Sequence, residues 1–327
     1  LPSPAPAFRD PLPHLPTLDG WRALSILFVL AGHLLPLGPK VLDLNETFAA
    51  SGMAIFFTLS GFLITRFLIE DGNVIRFAIR RLFRIVPLAW LAMPLAIVIS
   101  GGTAATYLGN LTFIANLPPF YLVPAGAHFW SLCLEMQFYL AIALLVGVLG
   151  QRGLLALPLI CLVITGLRVT FGERMSIVTW FRIDEILAGA TIALAYEGWL
   201  GARMAKEITR PNIIIMLGLL LASANRWFGD LAYLRPYFSA LMVGASLRAT
   251  PYWLARFSSW RPIVYTAQVS YAVYVFHGIF TETWLASGSK LVKYAKRPLL
   301  IGATFVCAHV STFHYERRWN RLGRKLT

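Results

Sequence analysis

Residues 21–37 have the sequence WRALSILFVLAGHLLPL, an apolar stretch with an arginine near its start and a histidine near its end. A helix needs about 20 apolar residues to cross about 30 Å of hydrocarbon, and this stretch approaches that length. Similar runs recur along the whole chain. We count ten of them, at 21–37, 47–69, 85–101, 128–149, 153–171, 178–197, 211–226, 233–249, 262–286 and 298–315.

The composition also indicates a membrane protein. Of the 327 residues, 57% are hydrophobic and only 13% are charged, too few charges to cover a globule in water. Backbone groups in lipid must be hydrogen-bonded within the segment, and the two-residue alternation of a membrane barrel is absent, so helices are expected. The predicted fold class is all-α, a polytopic bundle of about ten transmembrane helices in the lipid bilayer.

The net charge of +14 is distributed in a way that indicates topology. Most Lys and Arg residues lie in short loops between the apolar runs, which argues against a nucleic-acid partner. We predict that these loops, and both termini, are cytoplasmic. One loop disagrees, because Lys290, Lys293, Lys296 and Arg297 would lie on the opposite side, so the last two spans are the least secure.

Three segments are predicted along the chain. Residues 1–17 contain six prolines and are expected to form a mobile cytoplasmic tail. Residues 18–316 form the membrane domain, and 317–327 form a basic cytoplasmic tail. The three cysteines lie inside apolar runs without CxxC spacing or clustered histidines, so neither a disulfide framework nor a metal site is predicted.

Ionisable residues inside a membrane are costly and are therefore functional candidates. Arg22 and His33 are eleven positions apart, which corresponds to about 16 Å and about three turns of one helix, so they share nearly the same face. A buried, hydrogen-bonded structural histidine is the alternative for His33.

A second group, Arg80, Arg81 and Arg84, lies at the start of the third run. Arginine can grip a phosphate with two parallel hydrogen bonds, so this group suits a phosphorylated ligand. A positive-inside cluster of the kind found beside many membrane helices is the alternative, and spacing leaves both interpretations open.

The third candidate is Glu135. It lies about two turns inside the outer end of its helix, and His33 lies about one turn inside the outer end of its own, so the two could meet. A carboxylate beside an imidazole orients the ring and stabilises its protonated form, as a general base requires. A His–Glu pair with a purely structural role remains open.

Two weaker candidates follow. Arg182 with Asp184 or Glu185 is expected to be a structural ion pair between helices, and His277 is a packed polar residue or a functional one.

Together these residues resemble the acyltransferase-3 family of membrane O-acyltransferases, which modify bacterial surface polysaccharides, nodulation factors and some macrolides. The resemblance runs from about Thr17 to His277. It rests on five motifs in the family's order: LDGWR at 18–22 with His33, FFTLSGFLI at 56–64, RLFRIVP at 81–87, WSL at 130–132 with Glu135 and QFY at 137–139, and Ser270-Tyr271 followed by His277.

The resemblance implies that His33 is catalytic, that Arg22, Arg81 and Arg84 serve acyl-CoA, and that Glu135 belongs to the same functional set. It also implies the bacterial cytoplasmic (inner) membrane as the location. Ala54 and Met136 stand where many members have acidic residues, a departure that bears on the acceptor. Some members carry an appended esterase-like domain, and none is expected in this chain.

The resulting hypothesis is an acetyl-CoA-dependent O-acetyltransferase acting on a cell-surface or lipid-linked glycan. CoA phosphates would bind Arg80, Arg81 and Arg84, with Arg22 beside the channel that leads to His33. His33, oriented by Glu135, would deprotonate the acceptor hydroxyl. Trp130, Ser131, Tyr139 and His277 are further candidates for binding the substrate or the oxyanion.

Alternatives remain open from the sequence alone. His33 could carry the acyl group itself in a two-step reaction. A transporter or flippase for a lipid-linked sugar could use the same intramembrane charges, and a silent sensor or scaffold is a third class.

Overall fold

The computed structural model describes residues 15–248 and 250–327, and all the regular structure in these ranges is helical. The prediction of a mobile tail at 1–17 falls almost entirely outside them. The α-helices are α1 Pro16–Leu34, α2 Leu44–Glu70, α3 Val74–Ser100, α4 Ala104–Leu111, α5 Trp130–Leu149, α6 Leu157–Phe171, α7 Asp184–Tyr196, α8 Ala202–Glu207, α9 Ile213–Ala224, α10 Arg235–Ala245, α11 Tyr252–Ser259, α12 Arg261–Thr281, α13 Lys290–Ala295, α14 Arg297–Val310 and α15 Arg317–Lys325.

Fewer helices than predicted are long and apolar enough to cross a membrane. Within the described residues five qualify, or six if α9 and α10, which follow each other at a bend of 119°, count as one broken span. The all-α membrane bundle is confirmed, whereas the count of about ten is not. Several predicted runs are interrupted by turns, which leaves α7, α9, α10 and α14 with 13, 12, 11 and 14 residues.

Burial separates a central helix from peripheral ones. The most apolar stretch of the span containing α2 is 72% buried inside the protein, whereas that of the span containing α6 is only 22% buried. The outward face of α6 carries exposed side chains such as Leu159 and Leu162. Exposed apolar surface of this extent requires lipid around it, which agrees with a multi-pass membrane protein.

α1 and α2 approach each other closely at two glycines. A Cβ added at Gly32 would lie 2.5 Å from the carbonyl oxygen of Asn45, and one at Gly52 would lie 2.6 Å from that of Ser25. The Ser25 hydroxyl donates a hydrogen bond to the Gly52 carbonyl at 2.8 Å. Small residues let membrane helices pack backbone to backbone, so α1 is held firmly along α2.

α2 and α7 make the same kind of contact. A Cβ at Gly61 would overlap the carbonyl group of Ile186, and a Cβ at Gly189 would overlap that of Thr58. The two glycines therefore bring α7 against the opposite side of α2, and α2 becomes the centre of the bundle.

The bundle has two ends that differ in chemistry. The arginine end is formed by the start of α1, the end of α2 and the start of α3, and it includes Glu197 and Gln151 through their bonds to Arg66 and Leu68. The histidine end is formed by the end of α1, the start of α2 and the end of α12. The arginine end corresponds to the predicted cytoplasmic side, and that orientation stays a prediction.

The basic loop at 290–297, whose charge disagrees with the predicted topology, lies at the histidine end. The Lys296 ammonium donates hydrogen bonds to the carbonyl groups of Trp284 and Ser287, just beyond α12. Residues 317–325, predicted as a tail, form α15, which packs against α3 at the arginine end.

We predict that Gly61→Ala destabilises the protein, because the added methyl group cannot occupy the space of the Ile186 carbonyl. Forced overpacking costs about 1–3 kcal/mol. The temperature at which the detergent-solubilised protein loses its monodisperse chromatographic peak should fall. Gly147→Ala in α5 is the matched control, since nothing lies within 4 Å of its added methyl group. Equal thermal stability of the two variants would contradict the proposed α2–α7 contact.

Candidate functional site

His33 and His277 meet at the histidine end. His33 Nδ1 lies 2.9 Å from His277 Nε2, and His277 Nδ1 lies 2.6 Å from the carbonyl oxygen of Tyr274. A carbonyl oxygen only accepts, so His277 Nδ1 carries the hydrogen, and Nε2 of the neutral ring accepts from His33. We therefore assign the hydrogen of neutral His33 to Nδ1, which leaves Nε2 with a free lone pair.

The two rings differ in exposure. His277 is only 1% exposed, whereas His33 is among the exposed residues. The buried ring thus holds the exposed one in a single orientation. Neither the hydrogen bond between His33 and His277 nor its direction could be predicted from the sequence, in which the two histidines lie on distant apolar runs.

His128 is a third histidine that the sequence analysis missed as a site residue. Its Nε2 donates to the Val275 carbonyl at 3.1 Å, and its ring centroid lies 4.8 Å from that of His277. Gly278 makes room for it, since a Cβ there would overlap the His128 ring. The available signals were the position of His128 just before the motif at 130–132 and a glycine directly after His277.

In the described ranges, no group of three His, Cys, Asp or Glu side chains is arranged to hold a metal ion. The prediction that no metal takes part stays a prediction.

Of the four candidates for binding the substrate or the oxyanion, Ser131 is already hydrogen-bonded within the protein. The hydroxyl groups of Ser131 and Tyr274 both donate to the His128 carbonyl, at 3.2 and 2.5 Å, and lie 2.5 Å from each other. The Trp130 ring lies under the Arg182 guanidinium, 5.5 Å from ring centroid to Cζ, and its indole N–H makes no hydrogen bond among the described residues. Trp130 is therefore the better donor candidate.

Glu135 occupies a different part of the protein from the one predicted. Its Oε1 accepts hydrogen bonds from the hydroxyl groups of Ser60 and Tyr139, both at 2.5 Å. Within the described residues it makes no hydrogen bond to His33, whose partner is His277. Similar depth on two helices does not determine how each helix is rotated about its axis, and here Glu135 faces α2 while His33 faces α12.

Glu135 and the predicted arginines instead surround one narrow cavity. This inner cavity, of about 60 Å³, is lined by Arg22, Arg81, Arg84 and Glu135. A lateral cavity of about 380 Å³ adjoins it at Arg22, Arg81 and Arg84. Arg22 is held by Asp19 at 2.9 Å. The structure therefore brings together three arginines that the sequence placed on two separate runs.

A third cavity, the outer cavity, has a volume of about 350 Å³. It contains Arg80 and again Arg81 and Arg84, so it continues from the inner cavity toward the surface of the arginine end. Arg80 also donates to the Thr327 hydroxyl at 3.0 Å.

Two aromatic rings separate the inner cavity from the histidine end. Phe56 lines the inner cavity and stacks on Tyr274, with ring centroids 6.2 Å apart. The Tyr274 ring lies 5.4 Å from that of His277. The arginines and the histidines therefore lie on opposite sides of this pair of aromatic rings.

Of the two partners predicted for Arg182, the structure has Glu185 and not Asp184. Arg182 pairs with Glu185 at 3.4 Å, while Asp184 pairs with Arg168 at 2.5 Å. Arg235 also binds Glu185, at 2.7 Å. Asp184 and Glu185 are consecutive on a helix, so their side chains diverge, and Asp184 pairs with Arg168 while Glu185 pairs with Arg182 and Arg235. The network joins α7 to α6 and α10, in keeping with the structural role predicted.

Comparisons with known proteins agree with the family resemblance. The acyltransferase-3 family, described as an acyltransferase domain, matches residues 15–313. The chain is 23% identical to O-acetyltransferase OatA of Staphylococcus aureus over 84% of this chain and 52% of the relative. It is 25% identical to peptidoglycan O-acetyltransferase OatA of Listeria monocytogenes over 91% of this chain and 54% of the relative. The chain thus spans about half the length of these curated relatives, and no solved structure matches it.

We predict that Glu185→Gln strongly destabilises the protein, because it leaves Arg182 and Arg235 buried without a carboxylate. Breaking a buried ion pair by removing one partner costs about 3–5 kcal/mol. The exposed pair of Glu207 with Arg210 offers a matched control, and Glu207→Gln should change little. Thermal unfolding in detergent compares the two, and equal losses would argue against a structural role for the network.

Proposed function

Since the chain belongs to the acyltransferase-3 family, whose match covers residues 15–313, we propose that it is a membrane O-acetyltransferase. It transfers an acetyl group from acetyl-CoA to a hydroxyl of a cell-surface or lipid-linked glycan, in the bacterial cytoplasmic membrane. The names of its relatives support the acetyl group, and the Listeria relative makes peptidoglycan strands the first acceptor to test.

The arginine end is the proposed donor site. Arg81 and Arg84 line the inner, lateral and outer cavities, so phosphates bound by them lie where the three meet. Guanidinium groups bind phosphate oxygens bidentately. The inner cavity is narrow, which suits the slender pantetheine arm better than a nucleotide. Arg22 and His33 lie on one continuous helix, about 16 Å apart along its axis, a distance comparable to the reach of that arm.

His33 is the proposed general base, and the hydrogen-bond chain from the Tyr274 carbonyl through His277 is the observation that carries this proposal. His33 Nε2 accepts the proton of the acceptor hydroxyl while the hydroxyl oxygen attacks the thioester carbonyl. The C–S bond then breaks, and the CoA thiolate leaves and takes up that proton. His277 is a positioning residue in this scheme, as a carboxylate is in other base-catalysed acyl transfers.

Glu135 is proposed to position the donor. Its carboxylate lines the inner cavity beside Arg22 and Arg81, and it holds the hydroxyl groups of Ser60 and Tyr139. Its negative charge thereby offsets the mutual repulsion of the arginine side chains when no phosphate is bound. The Trp130 indole N–H is the proposed donor to the developing oxyanion, because it makes no hydrogen bond to any of the described residues.

A two-step reaction uses the same residues. His33 Nε2 would attack the thioester, release CoA and then transfer the acetyl group to the acceptor. Parallel lines in double-reciprocal plots of the initial rate, together with an acetylated His33, would support this two-step version. CoA release that always requires the acceptor would support direct transfer.

We predict that His33→Ala lowers acetyl transfer by at least about 100-fold, the usual contribution of a general base. Purified protein, acetyl-CoA and peptidoglycan glycan fragments are combined, and both free CoA thiol and acetylated glycan are measured. The exposed His314 provides the control, and His314→Ala should retain activity. Full activity of His33→Ala would reject the mechanism, and failure of the wild type to bind or consume acetyl-CoA would favour a transporter.

We predict a different pattern for His277→Ala. Losing the acceptor of the His33 hydrogen bond should lower kcat about tenfold or more and leave KM for acetyl-CoA unchanged, because the donor site is at the other end. His277→Asn offers a side-chain oxygen to His33 Nδ1 and should recover part of the rate. A role limited to packing would instead give a parallel loss in both variants, together with a lower unfolding temperature.

A further inference from the structure

The outer cavity has two walls of different origin. One wall is α3, with Arg80, Arg81 and Arg84, and the other is α15, which contributes Asn320 and Arg324. Four guanidinium groups face this space without a carboxylate in its lining, and none of the four forms a salt bridge among the described residues. Like charges gathered in this way repel each other unless an anion lies between them, so the arrangement is that of an anion site.

α15 is fixed against α3 by specific contacts. A Cβ at Gly323 would lie 2.8 Å from Cβ of Phe83, so only glycine allows this approach. The Trp319 ring lies 6.1 Å from that of Phe83, and just before α15 the Tyr315 hydroxyl donates to the Pro87 carbonyl at 3.2 Å. The helix is therefore a docked element and not a free tail.

The docking determines which residues of α15 face the cavity. Asn320 and Arg324 are four residues apart and so share one face of the helix. Arg324 Nε donates to the backbone carbonyl of Asn320 at 3.3 Å, which leaves the two terminal nitrogens for a ligand. The neighbouring Arg321 is exposed and does not line the cavity.

We propose that Arg324 and Asn320 form a subsite for the phosphate of the donor that lies farthest from its thioester. The proposal rests on the acetyl-CoA-dependent function above. With the thioester directed along the inner cavity and the diphosphate at Arg81 and Arg84, the 3′-phosphate on the ribose of CoA reaches the outermost wall, which is α15. Phe67, the partly exposed aromatic residue of the lining, offers apolar surface for the adenine ring.

The test compares acetyl-CoA with its 3′-dephospho form in the full chain. For Arg324→Ala, KM for acetyl-CoA should rise about tenfold, which corresponds to the loss of one charge-assisted hydrogen bond. KM for the dephospho donor and kcat should stay unchanged. Asn320→Asp is nearly isosteric and places a negative charge beside the phosphate, so it should show the same donor-dependent rise. Arg321→Ala, on the same helix, should behave as the wild type.

The outcomes separate the subsite from the function. Wild-type turnover of acetyl-CoA with no donor-dependent change in Arg324→Ala and Asn320→Asp would reject the subsite and leave the function standing. An equal effect of Arg321→Ala would show a general effect of basic charge, such as attraction to anionic lipid, and would also reject it. Absence of any acetyl-CoA turnover in the wild type would overturn the function and the subsite together.

Discussion

The backbone contact between α1 and α2 determines where both ends of the site lie. Arg22 and His33 belong to α1, and Gly32 and Gly52 hold this helix so closely to α2 that it can neither tilt nor rotate without a carbonyl clash. α2 is in turn held to α7 by Gly61 and Gly189. In lipid there is little hydrophobic gain in bringing helices together, so such close packing supplies the attraction instead. The geometry of the site therefore depends on residues that have no side chain.

Part of the site could be predicted because it depends on distances within one helix. Arg22 and His33 have a separation set by helical rise, and Arg81 and Arg84 share a face for the same reason. The proximity of Arg22 to Arg81 and Arg84 could also be predicted, because all three lie at the same end of the bundle. The hydrogen-bond partner of His33 could not be predicted, because it depends on how α1, α5 and α12 are each rotated about their axes. His128 and α15 were missed for a related reason, since only the packed bundle shows what they face.

The fold was predictable in class but not in its number of spans. A run of apolar residues specifies burial in lipid or protein, but not that the helix continues for the thickness of a bilayer. The run at 211–226 and the run at 233–249 each contain a helix, yet the chain bends by 119° between them. The run at 178–197 begins with turns and carries Asp184 and Glu185, whose ion pairs are satisfied inside the protein. Such helices are apolar because they are buried among other helices.

The buried ion-pair network of α7 and the outer cavity both have more guanidinium groups than carboxylates, and their surroundings differ. The network at Arg168, Arg182 and Arg235 is almost fully buried, and each of its arginines lies within 3.4 Å of a carboxylate. The outer cavity is open, and its arginines have no such partner in the part of the chain that the structure describes. A buried cation must be paired because its desolvation is costly, whereas an unpaired cation is tolerated where water or an anion can reach it. The first cluster therefore supports the framework, and the second is free to gain its stabilisation from a ligand.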